Sequence, residues 1–137
     1  MGLMKKIKRL AVDSMIFIYL LEGNSKFVDS IKNKLGDAEE VIFSTFGLAE
    51  VLTGFEKTGD LRGKLQFFAF MESYKKMSVI GFGKQEALIF AKLRAKYPQV
   101  KAPDAIHLAT ALSARADAFL TNDRGLKCVE ELPIQLL

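Results

Sequence analysis

Apolar positions along this chain alternate between short continuous runs and stripes of helical period. The run IKRLAVD (Ile7–Asp13) predicts a strand that becomes wholly apolar toward Asp13. SMIFIYLLEG follows as a short helix, with Ser14 as its cap and Gly23 as its stop. Phe27, Ile31 and Leu35 fall at helical spacing, and that helix ends at Gly36. EVIFS (Glu40–Ser44) is a second apolar strand. TFGLAEVLTGFEKTG then places Leu48, Val51, Leu52 and Phe55 on one stripe. The pattern continues helically through LRGKLQFFAFMESY, with Phe67, Phe70, Met71 and Tyr74 in register. MSVIGF predicts a strand, KQEALIFAKLRAKY a helix closed by Pro98, and PDAIHLATALSARA another helix. AFLT (Ala118–Thr121) is a strand ending at Asn122 and Asp123, and LPIQLL holds a last short strand.

Apolar strands alternating with helices predict an α/β fold, a sandwich built on a central, mostly parallel sheet. No Gly/Ser-rich or Pro-rich linker and no internal repeat divides the 137 residues, so one domain is expected over 1–137. In such folds the site lies beyond the carboxyl ends of the strands. Asp13 and Asp123 each follow an apolar strand and would share one rim if their strands are parallel neighbours.

Composition narrows the classes. Half the residues are apolar, and the single Cys128 excludes an internal disulfide. With His107 as the only histidine, no Cys/His zinc set exists. The N-terminus is basic and then apolar, but Asp13 and Ser14 interrupt the run and no A-x-A pattern follows, against a signal peptide. No apolar run approaches the ~20 residues that span a bilayer. A soluble, cytoplasmic protein is expected. The net charge of +4 permits a nucleic-acid partner without requiring one. Lys5, Lys6, Lys8 and Arg9 form one basic cluster; Lys84, Lys92, Arg94, Lys96 and Lys101 form a looser one.

Taken singly, each candidate acid has an ordinary explanation. Asp13 can cap a helix, Asp123 belongs to turn chemistry, and Asp104 sits in a first helical turn where a carboxylate complements the dipole. Glu50 lies nearly opposite the apolar stripe of its helix, as an exposed glutamate would, though Gly47 and Gly54 share its side and permit close approach. His107, one turn after Asp104, could be a ligand or a base, but a lone histidine more often reads as a hydrogen-bonded structural residue. Phe67–Tyr74 reads as core or subunit interface, with Phe68 off the stripe. No phosphate-binding glycine loop and no nucleophile elbow is present.

In order, however, LAVDSMIFIYLLEG, FSTFGLAEVLTG, KAPDAIHLATAL and AFLTNDRGL resemble the PIN domain family, especially the small VapC-type toxins, from about Leu10 onward. The resemblance implies an α/β/α sandwich in which the strand before Asp13 neighbours the strand before Asp123. It implies a ribonuclease dependent on Mg²⁺ or Mn²⁺, with Asp13, Glu50, Asp104 and Asp123 as its catalytic, metal-holding acids. Ser14, Ser44, Thr121 and Asn122 match polar positions around them. A homodimer and a cognate antitoxin, able to insert a basic side chain among the acids, are implied too. Met15 departs from the pattern, standing where the family often has Asn.

Physical chemistry supports a cation at such a cluster. Two carboxylates ~5 Å apart at an effective dielectric of ~20 repel by about 3 kcal/mol. Hard oxygen donors without Cys or His pairs suit Mg²⁺ or Mn²⁺. The alternatives are a non-catalytic PIN-like domain that binds RNA or protein, and an unrelated α/β protein whose acids are caps and turns.

Overall fold

The computed structural model describes residues 7–137. Five strands form one sheet: β1 (Arg9–Val12), β2 (Glu40–Ser44), β3 (Met77–Ile80), β4 (Ala118–Thr121) and β5 (Ile134–Leu136). Their order is β3-β2-β1-β4-β5, and all four pairings are parallel. β1 is central, with Ala11 opposite both Ile42 and Phe119. The order reverses there, because β2 and β3 lie on one side of β1 and β4 and β5 on the other.

Six helices cover the sheet: α1 (Ser14–Glu22), α2 (Val28–Asp37), α3 (Thr45–Thr58), α4 (Leu61–Ser73), α5 (Lys84–Lys96) and α6 (Ala102–Ser113). Successive strand residues point to opposite faces. Leu10, Val12, Val41, Phe43, Ala118 and Leu120 pack with Ile16, Phe17, Ile31, Val51 and Phe67 of α1–α4. Ala11, Ile42 and Phe119 pack with Leu93 of α5 and with Ala105, Leu108 and Ala109 of α6. Both faces are covered, which is why these strands read as continuous apolar runs rather than alternating ones.

The elements match the sequence pattern with five differences. β1 is shorter than Ile7–Asp13. Asp13, not Ser14, occupies the cap position of α1. Gly36 does not stop α2, which runs to Asp37. The long helical pattern after Ser44 is broken into two helices: Gly59 adopts φ +67°, and Asp60 caps α4 by accepting from the Gly63 N–H at 2.9 Å. The turn after β4 also tightens into a 3₁₀ helix, Arg124–Cys128.

Phe67 is fully buried, with Phe70, Met71 and Tyr74 packed against the same core, while Phe68 is exposed. Among the described residues no helix is long and apolar enough to cross a membrane. Lys5 and Lys6 of the first basic cluster lie outside the described residues. In the second, Arg94 donates to the Val100 carbonyl and Lys96 pairs with Glu131.

Candidate functional site

The carboxyl ends of β1, β4 and β2 carry the candidate residues. Asp13 directly follows β1, and its main-chain N–H donates to the Leu120 carbonyl at 3.3 Å, tying it to β4. Its side chain is 7% exposed. Oδ2 accepts from the Thr121 hydroxyl at 2.6 Å. Oδ1 is buried and has no hydrogen-bond partner among the described residues. Burial pushes the carboxyl above its ordinary pKa, and the Asp104 charge adds to this; the Thr121 hydroxyl, a charge on His107 and the nearby Ile16 N–H oppose it. Asp13 thus holds the cap position of α1 with no side-chain capping hydrogen bond.

Thr121 ends β4 with no exposure, and its oxygen also accepts from the Asp123 N–H at 3.1 Å. Asp123 is exposed and caps the 3₁₀ helix through Oδ1, which accepts from Gly125 N–H at 2.8 Å. The turn explanation therefore holds for Asp123, and its other carboxyl oxygen is not part of that bond. Asn122 is exposed and donates to the Tyr19 hydroxyl at 3.2 Å.

Asp104 lies in the first turn of α6, whose cap position belongs to Lys101. It is half-buried. Burial raises its pKa first, the Asp123 and Glu50 charges raise it further, and a charge on His107 and the Lys101 ammonium oppose them. Asp104 is thus the acid whose field overlaps those of the other three.

Glu50, on α3, is partly exposed, and its Oε1 accepts from the Ser14 hydroxyl at 3.0 Å. The same oxygen lies 2.8 Å from His107 Nε2, and His107 Nδ1 lies 2.8 Å from the Ser44 hydroxyl. Ser44 caps α3 by accepting from the Gly47 N–H at 2.8 Å. Gly47 is required here: a Cβ on it would lie 2.5 Å from a Phe43 ring carbon and 3.1 Å from His107 Cε1. Of the two glycines beside Glu50, only Gly47 is closely approached; Gly54 faces open space.

His107 is the residue whose place in the site the sequence did not show. It is hydrogen-bonded and buried, as expected of a structural histidine, but its partner is one of the four acids. Met15 is 38% exposed, and Ser14 supplies the polar contact on that side of Glu50.

All four acids and their polar neighbours therefore stand at one end of the sheet. As placed, no three His, Cys, Asp or Glu side chains among the described residues form a group that could hold a metal ion. The donor chemistry nonetheless fits a hard cation. The donors are oxygens, the acids repel one another at Asp104, and Asp13 Oδ1 is buried without a partner among the described residues.

Residues 10–132 match the family model for the PIN domain. Comparison with curated protein sequences gives no match. The fold is similar to that in the VapBC2 complex of Rickettsia felis bound to a promoter DNA fragment, with TM-score 0.76 and 15% identity over 94% of this chain and 98% of that one. It is similar to a toxin–antitoxin complex from Klebsiella pneumoniae, with TM-score 0.70 and 23% identity over 90% and 94%. It is also similar to VapC20 of Mycobacterium tuberculosis, a toxin that cleaves the sarcin–ricin loop, with TM-score 0.65 and 14% identity over 80% and 86%.

Proposed function

This chain belongs to the PIN domain family, and from that premise we propose that it is a metal-dependent endoribonuclease, the toxin of a toxin–antitoxin pair. One observation carries the reading: Asp13 presents, at the strand ends, a buried carboxyl oxygen with no partner among the described residues, beside Asp104, whose carboxyl is pushed up by burial first and then by Asp123 and Glu50. Asp13, Asp104 and Asp123 would hold Mg²⁺ or Mn²⁺, with Glu50 completing the set. Bound there, the ion supplies Lewis acidity for phosphodiester hydrolysis.

The chain's own residues do the rest. Thr121 fixes the Asp13 carboxyl and the backbone that leads to Asp123. Ser14 and His107 fix Glu50. Glu50 would orient the water that attacks phosphorus and accept its proton. Lys101 and Arg124 flank Asp104 and Asp123 in sequence, are exposed, and would bind RNA phosphates without reading sequence.

Two surfaces support the partners. An apolar groove of about 610 Å³ between α1, α2 and α4 is lined by Phe17, Leu20, Leu35, Phe70 and Tyr74, with Lys32, Lys75 and Lys76 also lining it. An antitoxin segment with apolar anchors and acidic flanks suits it. On α4, Leu61, Leu65 and Phe68 form an exposed stripe that a second copy of the chain would cover. A cytoplasmic setting would bring RNA and antitoxin together.

A PIN-like domain that binds RNA without cutting it is the competing reading, favoured by the absence of a three-ligand group as the side chains stand. RNA incubated with the protein and Mg²⁺ or Mn²⁺ separates the two. Cleavage abolished by a chelator supports the nuclease; binding without cleavage supports the alternative.

A further inference from the structure

We propose that His107 is a positioning residue: held by Ser44 in a buried seat, it aims the carboxylate of Glu50, a role that rests on the nuclease reading of the site. The Ser44 oxygen is buried and accepts from the Gly47 N–H at 2.8 Å. It also lies 2.8 Å from His107 Nδ1, and this contact orients the ring. The other ring nitrogen, Nε2, lies 2.8 Å from Glu50 Oε1, a carboxylate oxygen to which a ring N–H donates. Ser14 donates to the same oxygen at 3.0 Å. Two donors on Oε1 fix the carboxylate and leave Oε2 without a hydrogen-bond partner among the described residues, available to water or substrate.

Packing holds the ring. His107 is 4% exposed, lies with its centroid 5.8 Å from that of Phe46, and occupies the space against Gly47 that a Cβ would crowd. A side chain so buried does not touch RNA. Its loss therefore leaves substrate binding intact and releases Glu50, which is otherwise one-third exposed and free to rotate.

Because His107 is the only histidine, the imidazole nitrogens of the uniformly ¹⁵N-labelled, metal-free protein give one assignable pair of signals. Ser44→Ala is expected to shift both signals, and Glu50→Gln the Nε2 signal most. A spectrum unchanged by both substitutions overturns the proposal without any appeal to activity. In RNA cleavage, His107→Ala is expected to lower kcat about ten- to a hundredfold with KM unchanged, the effect of losing one hydrogen bond to a charged group. His107→Gln, whose amide can still donate to Glu50, is expected to recover part of the loss. A raised KM with kcat intact overturns the positioning role. A wild-type protein inert toward RNA overturns the nuclease reading and the catalytic role with it, while the spectra still decide whether His107 holds Glu50.

Discussion

The hydroxyl of Thr121 donates to Asp13 Oδ2 across 2.6 Å, joining the carboxyl ends of the two strands between which the sheet order reverses. The same oxygen accepts the N–H of Asp123, so one buried side chain sets the positions of two of the four acids. Thr121→Val keeps the shape and removes both bonds. It leaves the Asp13 carboxyl and the Asp123 N–H unpartnered, and the expected cost is about 1–3 kcal/mol of folding stability, read from urea denaturation. A neutral effect would show that the bridge contributes nothing.

The carboxyls of Asp13 and Asp104 are both raised, by burial first and by neighbouring acids next. A raised carboxyl holds its proton longer in the folded state than in the unfolded chain. Between the unfolded and folded pKa values the folded state therefore binds more protons, and stability falls as pH rises. In metal-free protein these groups contribute their full stability below the ordinary carboxylate range and lose it as pH climbs through their raised values. Thermal denaturation across that range should show the decline, and Asp13→Asn should reduce it. A melting temperature that rises through the window in wild type and variant alike would contradict this.

Gly47→Ala places a methyl against the Phe43 ring and the His107 imidazole. Overpacking of this kind costs about 1–3 kcal/mol. The displaced ring would also loosen Glu50, so the variant should lose more activity than stability alone explains. Denaturation and cleavage measured on the same preparation separate the two. Gly54→Ala, where nothing lies near, is the control and should be neutral or slightly stabilising.

Leu65 is 60% exposed at the middle of the α4 stripe. If a second copy covers that stripe, Leu65→Glu should shift the sedimentation coefficient from dimer to monomer without lowering stability. A wild-type protein that sediments as a monomer removes the stripe as a self-association surface.

The strands and most helices were legible because burial on both faces makes strands apolar throughout, and one-sided burial gives the helices their period. The break between α3 and α4 was not, because the apolar stripe runs on through both helices. Gly59 and Asp60 carry the signal: a glycine stop followed by a helix cap. The four acids were readable only as an ordered set. Asp123 alone is indistinguishable from a turn residue because it is one, and Glu50 lies off the apolar stripe because its carboxylate meets Ser14 and His107 rather than the core. His107 escaped because Ser44 and Glu50 lie 63 and 57 residues from it, a distance that local pattern does not cross. Its place one helical turn after Asp104 was the available hint.

The most direct test compares RNA cleavage by the wild type, Asp13→Asn and Asp104→Asn in the presence of Mg²⁺ or Mn²⁺, each shown to be folded by circular dichroism. Removing one charged oxygen from the set while keeping its shape should lower the rate at least about 10²-fold in each variant. Equal rates in the three proteins, or wild-type cleavage that survives chelation of the metal, would contradict the assignment of these acids to a metal-dependent nuclease.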